Sequence, residues 1–173
     1  LKMNNVLIIN NSLSNKECDS LIKNTIPKLE GSLKKPWNYD YYDINEDNKT
    51  INNLSKNILK KYIKKYPEVN ITWDKWSVGK FTFKQFKPGN FYDDFHSEQS
   101  IEDPRVLSIL VYLSDHNCGT EFYNGFTIKS VKGRAMVFPP YWTHAHKGQP
   151  CPDKKFRYIL SAYATFERKN KNV

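Results

Sequence analysis

The chain has 173 residues, 14% of them aromatic, and a formal net charge of +9 from 27 basic and 18 acidic side chains. A folded chain of this length buries about two-thirds of its extended surface, which is enough for one domain with a real core. So high an aromatic content excludes a disordered, solvated chain, and the longest apolar run, Val106 to Leu113, is broken by Ser108 and Tyr112 and cannot form a transmembrane helix.

The N-terminus lacks the basic, apolar, small-residue order of a signal peptide. Val6 to Ile9 reads as a short strand. Ser14-Asn15-Lys16-Glu17 is a capping box, in which the Ser14 hydroxyl satisfies the Glu17 amide and the Glu17 carboxylate reaches back. The helix it opens runs through Cys18, Leu21 and Ile22 and stops before Pro27. Residues 31–45 read as irregular and rich in Tyr. A second helix is predicted from Glu46 or Asp47, with Ile51, Leu54, Ile58 and Tyr62 on one stripe and Lys56, Lys60 and Lys64 outside it. Tyr66-Pro67 ends it.

From about residue 72 the period changes to two. Lys80–Phe86, Phe91–Glu98, Arg105–Leu113, Glu121–Tyr123, Phe126–Ser130, Arg134–Phe138, Thr143–Lys147 and Phe156–Phe166 are predicted strands, and Asn124-Gly125 predicts a two-residue hairpin turn. Short strands at this spacing, without βαβ alternation, predict a mainly β sandwich or jelly roll with N-terminal helices. The expected organisation is a strand and helical layer over 1–72, a β domain over 73–168 and a charged tail over 169–173.

Cys18, Cys118 and Cys151 are few, far apart and without CxxC spacing. That usage predicts reduced thiols in a cytoplasmic protein and no disulfide. The excess of Lys is scattered and lacks the interleaved Arg and aromatic residues of nucleic-acid binders, so most of it is expected to be solvated surface. Its long-range effect still favours acidic partners.

Four histidines are present: His96, His116, His144 and His146. In His96-Ser97-Glu98, residues two apart on a strand share a face, so imidazole and carboxylate can converge. His144 and His146 follow on another short predicted strand. Two imidazoles plus one carboxylate, leaving further coordination positions open, is the donor set of non-haem Fe(II) oxygenases. Alone, an HxE pair equally fits a hydrogen-bonded structural histidine. Downstream, Arg157 on the last apolar strand offers a planar, always charged fork suited to a carboxylate.

Five stretches, in order, resemble the 2-oxoglutarate/Fe(II) dioxygenases of the prolyl 4-hydroxylase-like branch, in an HxE variant of phage or marine type. They are Lys87-Pro88-Gly89-Asn90-Phe91-Tyr92 leading to His96-Ser97-Glu98; Arg105 to Asp115; Gly119-Thr120-Glu121-Phe122; Lys132 to Pro139; and His146-Lys147-Gly148-Gln149-Pro150 running on to Arg157-Tyr158. The resemblance implies a double-stranded β-helix with Fe(II) on His96, Glu98 and His146. The basic residue, Gly and Pro that follow it favour His146 over His144 as the distal ligand. It further implies 2-oxoglutarate held by Arg157 with Tyr112 and Thr120, dioxygen as oxidant, ascorbate as a candidate reductant, and a prolyl residue of a peptide or protein as target.

His144, Tyr92 and Trp142 are candidates for the substrate wall or for support of the ligands. The chain departs from the family pattern in three places. Glu98 stands where most members have Asp, Phe86 stands where a tyrosine is usual, and His116 has no counterpart and reads as a loop residue. Two other readings stay open. One is oxidative demethylation of nucleic acid, although Tyr163 occupies the place of the second arginine those enzymes carry. The other is a catalytically silent jelly-roll binding module. No membrane association is expected.

Overall fold

A computed structural model describes residues 4–30, 39–71 and 76–166. The charged tail and the expected boundary near residue 72 lie outside the described residues. In chain order the elements are β1 (Leu7–Ile9), α1 (Asn15–Thr25), β2 (Tyr39–Ile44), α2 (Lys49–Lys65), β3 (Trp76–Val78), β4 (Phe81–Phe86), β5 (Arg105–Tyr112), β6 (Gly119–Phe122), β7 (Thr127–Lys129), β8 (Ala135–Phe138), β9 (His146–Gly148) and β10 (Arg157–Phe166).

The capping box forms as read from the sequence. Glu17 N–H donates to Ser14 Oγ at 3.2 Å, and Ser14 N–H donates to the Glu17 carboxylate at 2.8 Å. α2 begins later than expected, because Asn48 and not an acidic residue is its cap: its Oδ1 accepts from the amides of Thr50 and Ile51. The predicted stripe of Ile51, Leu54, Ile58 and Tyr62 is fully buried.

Seven strands form one antiparallel sheet in the order β1-β8-β5-β10-β4-β2, with β3 pairing the far end of β10. Three more form a second sheet, β7-β6-β9. Alternation divides the large sheet cleanly. One face carries Ile44, Phe81, Phe83, Leu107, Ile109, Val111, Ala135, Val137, Leu160 and Ala162, which pack with the buried stripes of α1 and α2. The opposite face turns Phe86, Tyr112, Met136, Phe138 and Ile159 against Phe122 and Ile128 of the small sheet. Two sheets packed face to face, with helices outside, make the jelly-roll core of a double-stranded β-helix.

Four local expectations need correction. The Tyr-rich segment is not irregular over its described part: β2 pairs with β4 from Tyr39↔Phe86 to Ile44↔Phe81. Its period-two Tyr pattern suits a strand with one face on the core. Phe91–Glu98 is not a strand but a loop touching the sheet at a single bridge, His96↔His146. Thr143–Lys147 splits into a turn of 3₁₀ helix, Trp142–His144, and β9. The Asn124-Gly125 connection closes as a longer loop between Phe122 and Phe126, with only Gly125 at positive φ (85°), so a type I′ turn is excluded.

The cysteine reading also fails in part. Cys118, at the entry to β6, and Cys151, in the β9–β10 connection, have Cα atoms 5.0 Å apart and are joined as a disulfide. Sequence spacing gave no hint, because the two approach only when the small sheet folds over β10. Cys18 is free and buried, and burial pushes its thiol up to about 11.

Candidate active site

One nitrogen from each of His96 and His146 and one carboxylate oxygen of Glu98 lie within 4.8 Å of one another. Backbone pairing sets this convergence. His96 N–H donates to His146 O at 3.0 Å, and His146 N–H donates back to His96 O at 2.9 Å, bringing a loop residue and the first residue of β9 side by side. Each ring is then fixed by a carbonyl. His96 Nδ1 lies 2.9 Å from Asp94 O, and His146 Nδ1 lies 3.0 Å from His144 O. A carbonyl only accepts, so each ring carries a proton on Nδ1, and a neutral His146 therefore presents its Nε2 lone pair. The Nε2 atoms stand 3.3 and 3.8 Å from Glu98 Oε1.

The other carboxylate oxygen is anchored away from the rings. Tyr163 donates its hydroxyl to Glu98 Oε2 at 2.5 Å, and Arg105 Nη1 lies 3.7 Å from the same oxygen. The Arg105 guanidinium also stacks on the Tyr163 ring at 3.8 Å. Burial alone would raise the Glu98 carboxyl, but the His96 ring, the Tyr163 hydroxyl and the charge of Lys84 outweigh it and hold it at about 2. Burial, together with the neighbouring His96, lowers His146 to about 4. At neutral pH the cluster is therefore a carboxylate beside a neutral imidazole, the donor states that a divalent metal requires.

A cavity of about 330 Å³ is lined by this cluster together with Tyr112, Thr120, Ile159 and Arg157. Arg157 is only 5% exposed. Its Nη1 donates to Gln149 O at 3.3 Å and lies 3.5 and 3.6 Å from the sulfurs of Cys118 and Cys151, while its Nε has no hydrogen-bond partner. Its guanidinium lies over Phe86 at 4.7 Å. A buried guanidinium with a donor to spare and, among the described residues, no ion pair fits an incoming carboxylate. Tyr112 donates to Thr120 Oγ1 at 2.7 Å in the same wall. Gly148 completes the cradle: a Cβ there would stand 3.0 Å from Arg157 Nη2 and 3.2 Å from the Tyr92 backbone.

Of the residues expected from the sequence, His96, Glu98, His146, Arg157, Tyr112, Thr120 and Tyr92 all line this cavity. The Tyr92 ring lies 4.2 Å from that of His96. His144 does not share a strand face with His146. It sits on the 3₁₀ turn, its Nε2 is 2.9 Å from Asn4 O, and its backbone carbonyl is what orients His146. Trp142, on the same turn, is 77% exposed and does not line the cavity.

His116 is no ordinary loop histidine. It is buried between Ser114 Oγ and Asp153 Oδ2, at 2.9 Å each, and with the disulfide it fastens the β9–β10 connection. The order of these bonds is that of a Ser–His–Asp triad. However, Ser114 Oγ also accepts from Tyr158 N–H at 3.1 Å, and none of the three lines the cavity.

Sequence reasoning missed Tyr39, Lys84, Arg105 and Tyr163. Tyr163 was legible by alternation, since residues 157, 159, 161 and 163 share one face of β10. Tyr39 was hidden by the irregular reading of its segment.

No family model matches the chain, and no curated protein does. Solved structures match along most of its length. A viral collagen prolyl hydroxylase from Paramecium bursaria Chlorella virus-1, in complex with 2OG, is 22% identical with a TM-score of 0.74, over 95% of this chain and 97% of that one. A Pseudomonas putida prolyl-4-hydroxylase is 14% identical with a TM-score of 0.71, over 95% and 94%. A Trichoplax adhaerens prolyl hydroxylase, in complex with a hypoxia inducible factor peptide fragment, is 16% identical with a TM-score of 0.75, over 95% and 84%. The chain has the fold of these proteins.

Proposed function

We propose that the chain is a 2-oxoglutarate- and Fe(II)-dependent dioxygenase that hydroxylates a C–H bond of a prolyl residue in a peptide or protein. The observation that carries this reading is a two-histidine, one-carboxylate cluster lining the same cavity as a buried guanidinium with an unused donor. The fold shared with three prolyl hydroxylases supports it, one of them holding 2OG and another a peptide.

In this reading His96, Glu98 and His146 hold the metal, and Tyr163 with Arg105 holds Glu98 so that Oε1 faces the two imidazoles. Glu98 extends one methylene further than the usual Asp, and the Tyr163 hydroxyl takes up that longer reach. Arg157 pairs with the distal carboxylate of 2-oxoglutarate, and the Tyr112–Thr120 pair lies along the same wall. Phe86 and Ile159 exclude water around it. Bound iron supplies the redox chemistry: dioxygen is consumed, 2-oxoglutarate loses carbon dioxide to become succinate, and one oxygen atom enters the substrate C–H bond. Ascorbate is the proposed reductant that keeps the iron ferrous.

Succinate release from 2-oxoglutarate by the Fe(II)-loaded protein, with and without proline-containing peptides, tests the reaction. No succinate under either condition sinks it. The nucleic-acid alternative gains nothing from the structure, because Tyr163 at the expected arginine position is occupied in holding Glu98.

A further inference from the structure

One half-buried cation of the cavity has no role in the reaction just described beyond the effect of its charge on Glu98. Lys84 sits mid-strand on β4, opposite Ile159 of β10 and Tyr41 of β2, and its side chain lines the cavity. Its ammonium lies 4.8 Å over the Tyr39 ring and, among the described residues, has no hydrogen bond or ion pair. The other lining cations differ in what they meet. Arg105 lies against Glu98 and pairs with Asp103 at 3.1 Å, whereas Lys147, like Lys84, has an aromatic ring as its contact, Phe95 at 4.6 Å, and stands on the small sheet instead of the β4 wall. Arg157 is where the co-substrate's distal carboxylate goes. The cavity thus sets Lys84, Arg105, Lys147 and Arg157 against Glu98 as its one carboxylate among the lining residues.

Charge balance then selects the substrate. A divalent metal with Arg157 cancels Glu98 with a dicarboxylate, and Arg105 is balanced by Asp103, so the loaded centre is neutral without the two lysines. Once a metal takes up the charge of Glu98, the Lys84 ammonium on the β4 wall is left without an anion in a low-dielectric space, and such a charge is costly until one meets it. Resting on this proposed reaction, we propose that Lys84 is a specificity residue that receives a carboxylate of the prime substrate. The preferred substrate carries an acidic group beside the target carbon, either an Asp or Glu next to the target proline or the α-carboxylate of proline itself. The Tyr39 face holds the ammonium by a cation–π contact, and the chain's net charge of +9 draws acidic partners toward the cavity.

The test uses protein loaded with Mn(II) and 2-oxoglutarate under anaerobic conditions, so that binding is read without turnover. The probes are two short fluorescent peptides differing only in Pro-Glu against Pro-Gln at their centre, with L-proline and L-prolinamide as unlabelled competitors. Wild type is expected to bind the Pro-Glu peptide, or L-proline over its amide, by about 10- to 100-fold, the range of a charge-assisted hydrogen bond. Lys84→Met abolishes the preference, Lys84→Arg restores most of it, and 2-oxoglutarate affinity measured by calorimetry does not change. The proposal is overturned by equal binding of the charged and neutral probes, by no binding of any probe, or by a Lys84→Met variant that loses 2-oxoglutarate instead of selectivity. The last result would assign the ammonium to the co-substrate.

A parallel succinate assay separates the two readings. Turnover without charge preference removes only the role of Lys84. Lys84-dependent binding without any succinate removes only the reaction.

Discussion

Tyr163→Phe is the sharpest probe of the metal cluster, because it deletes one oxygen and keeps the ring. That oxygen donates to Glu98 Oε2 at 2.5 Å, while Oε1 faces the His96 and His146 rings. The phenyl ring stays under Arg105, so the 3.8 Å stacking contact survives. A hydrogen bond to a charged group contributes about 1.5–3 kcal/mol, which at about 1.4 kcal/mol per decade is roughly a 10- to 100-fold change in affinity. Removing an outer partner of a metal ligand has the same scale, about 10- to 100-fold. Calorimetric titration of Mn(II) or Co(II) into metal-free protein should therefore show Tyr163→Phe binding at least about 10-fold more weakly, with Tm close to that of the wild type. Unchanged metal affinity in a variant that is folded would refute the idea that Tyr163 sets the carboxylate.

Other expectations follow from the same geometry. Arg157→Gln, which removes the buried charge from the cavity wall, should weaken 2-oxoglutarate binding by roughly 100-fold while leaving Mn(II) affinity within about twofold; an equal loss of both contradicts the division of roles. In unfolded protein a thiol reagent should count one cysteine before reduction and three after it, and three from the start removes the Cys118–Cys151 link. The metal-free protein should lose stability in acid in two windows. His146 takes up a proton near 6.5 when unfolded but only near 4 when folded, and Glu98 does so near 4.5 and about 2. In both windows the unfolded chain binds more protons, so urea midpoints fall as the pH drops. A flat profile between pH 6.5 and 4 counts against a neutral His146. Ile58→Ala, on the buried stripe of α2, should cost about 2–5 kcal/mol in urea unfolding without altering metal affinity.

Much of this was legible in the chain where one period or one cap decides the outcome. The Ser14 capping box, the Ile51-to-Tyr62 stripe and the strands Phe81–Phe86, Arg105–Tyr112 and Arg157–Phe166 follow directly from side-chain type. His96, Glu98, His146 and Arg157 were identified by pattern, although the reason first given for His96 and Glu98 was wrong: they converge from a loop, not from one strand face. What stayed hidden depends on long-range approach. Tyr39 and Lys84 meet only through the β2–β4 register, Cys118 meets Cys151 only across the small sheet, and His116 meets Asp153 from 37 residues away. Short-range periodicity carries no record of such meetings.

The reciprocal amide bonds between His96 and His146 have a consequence for how the centre ages and recovers. In small metal-nucleated domains the ion organises the chain, so that a chelator unfolds them. Here the main chain sets the spacing of the imidazoles before any ion arrives, and the core that supports it lies elsewhere, between sheet and helices. Removal of a bound metal by a chelator is therefore expected to leave a standing scaffold that can be reloaded.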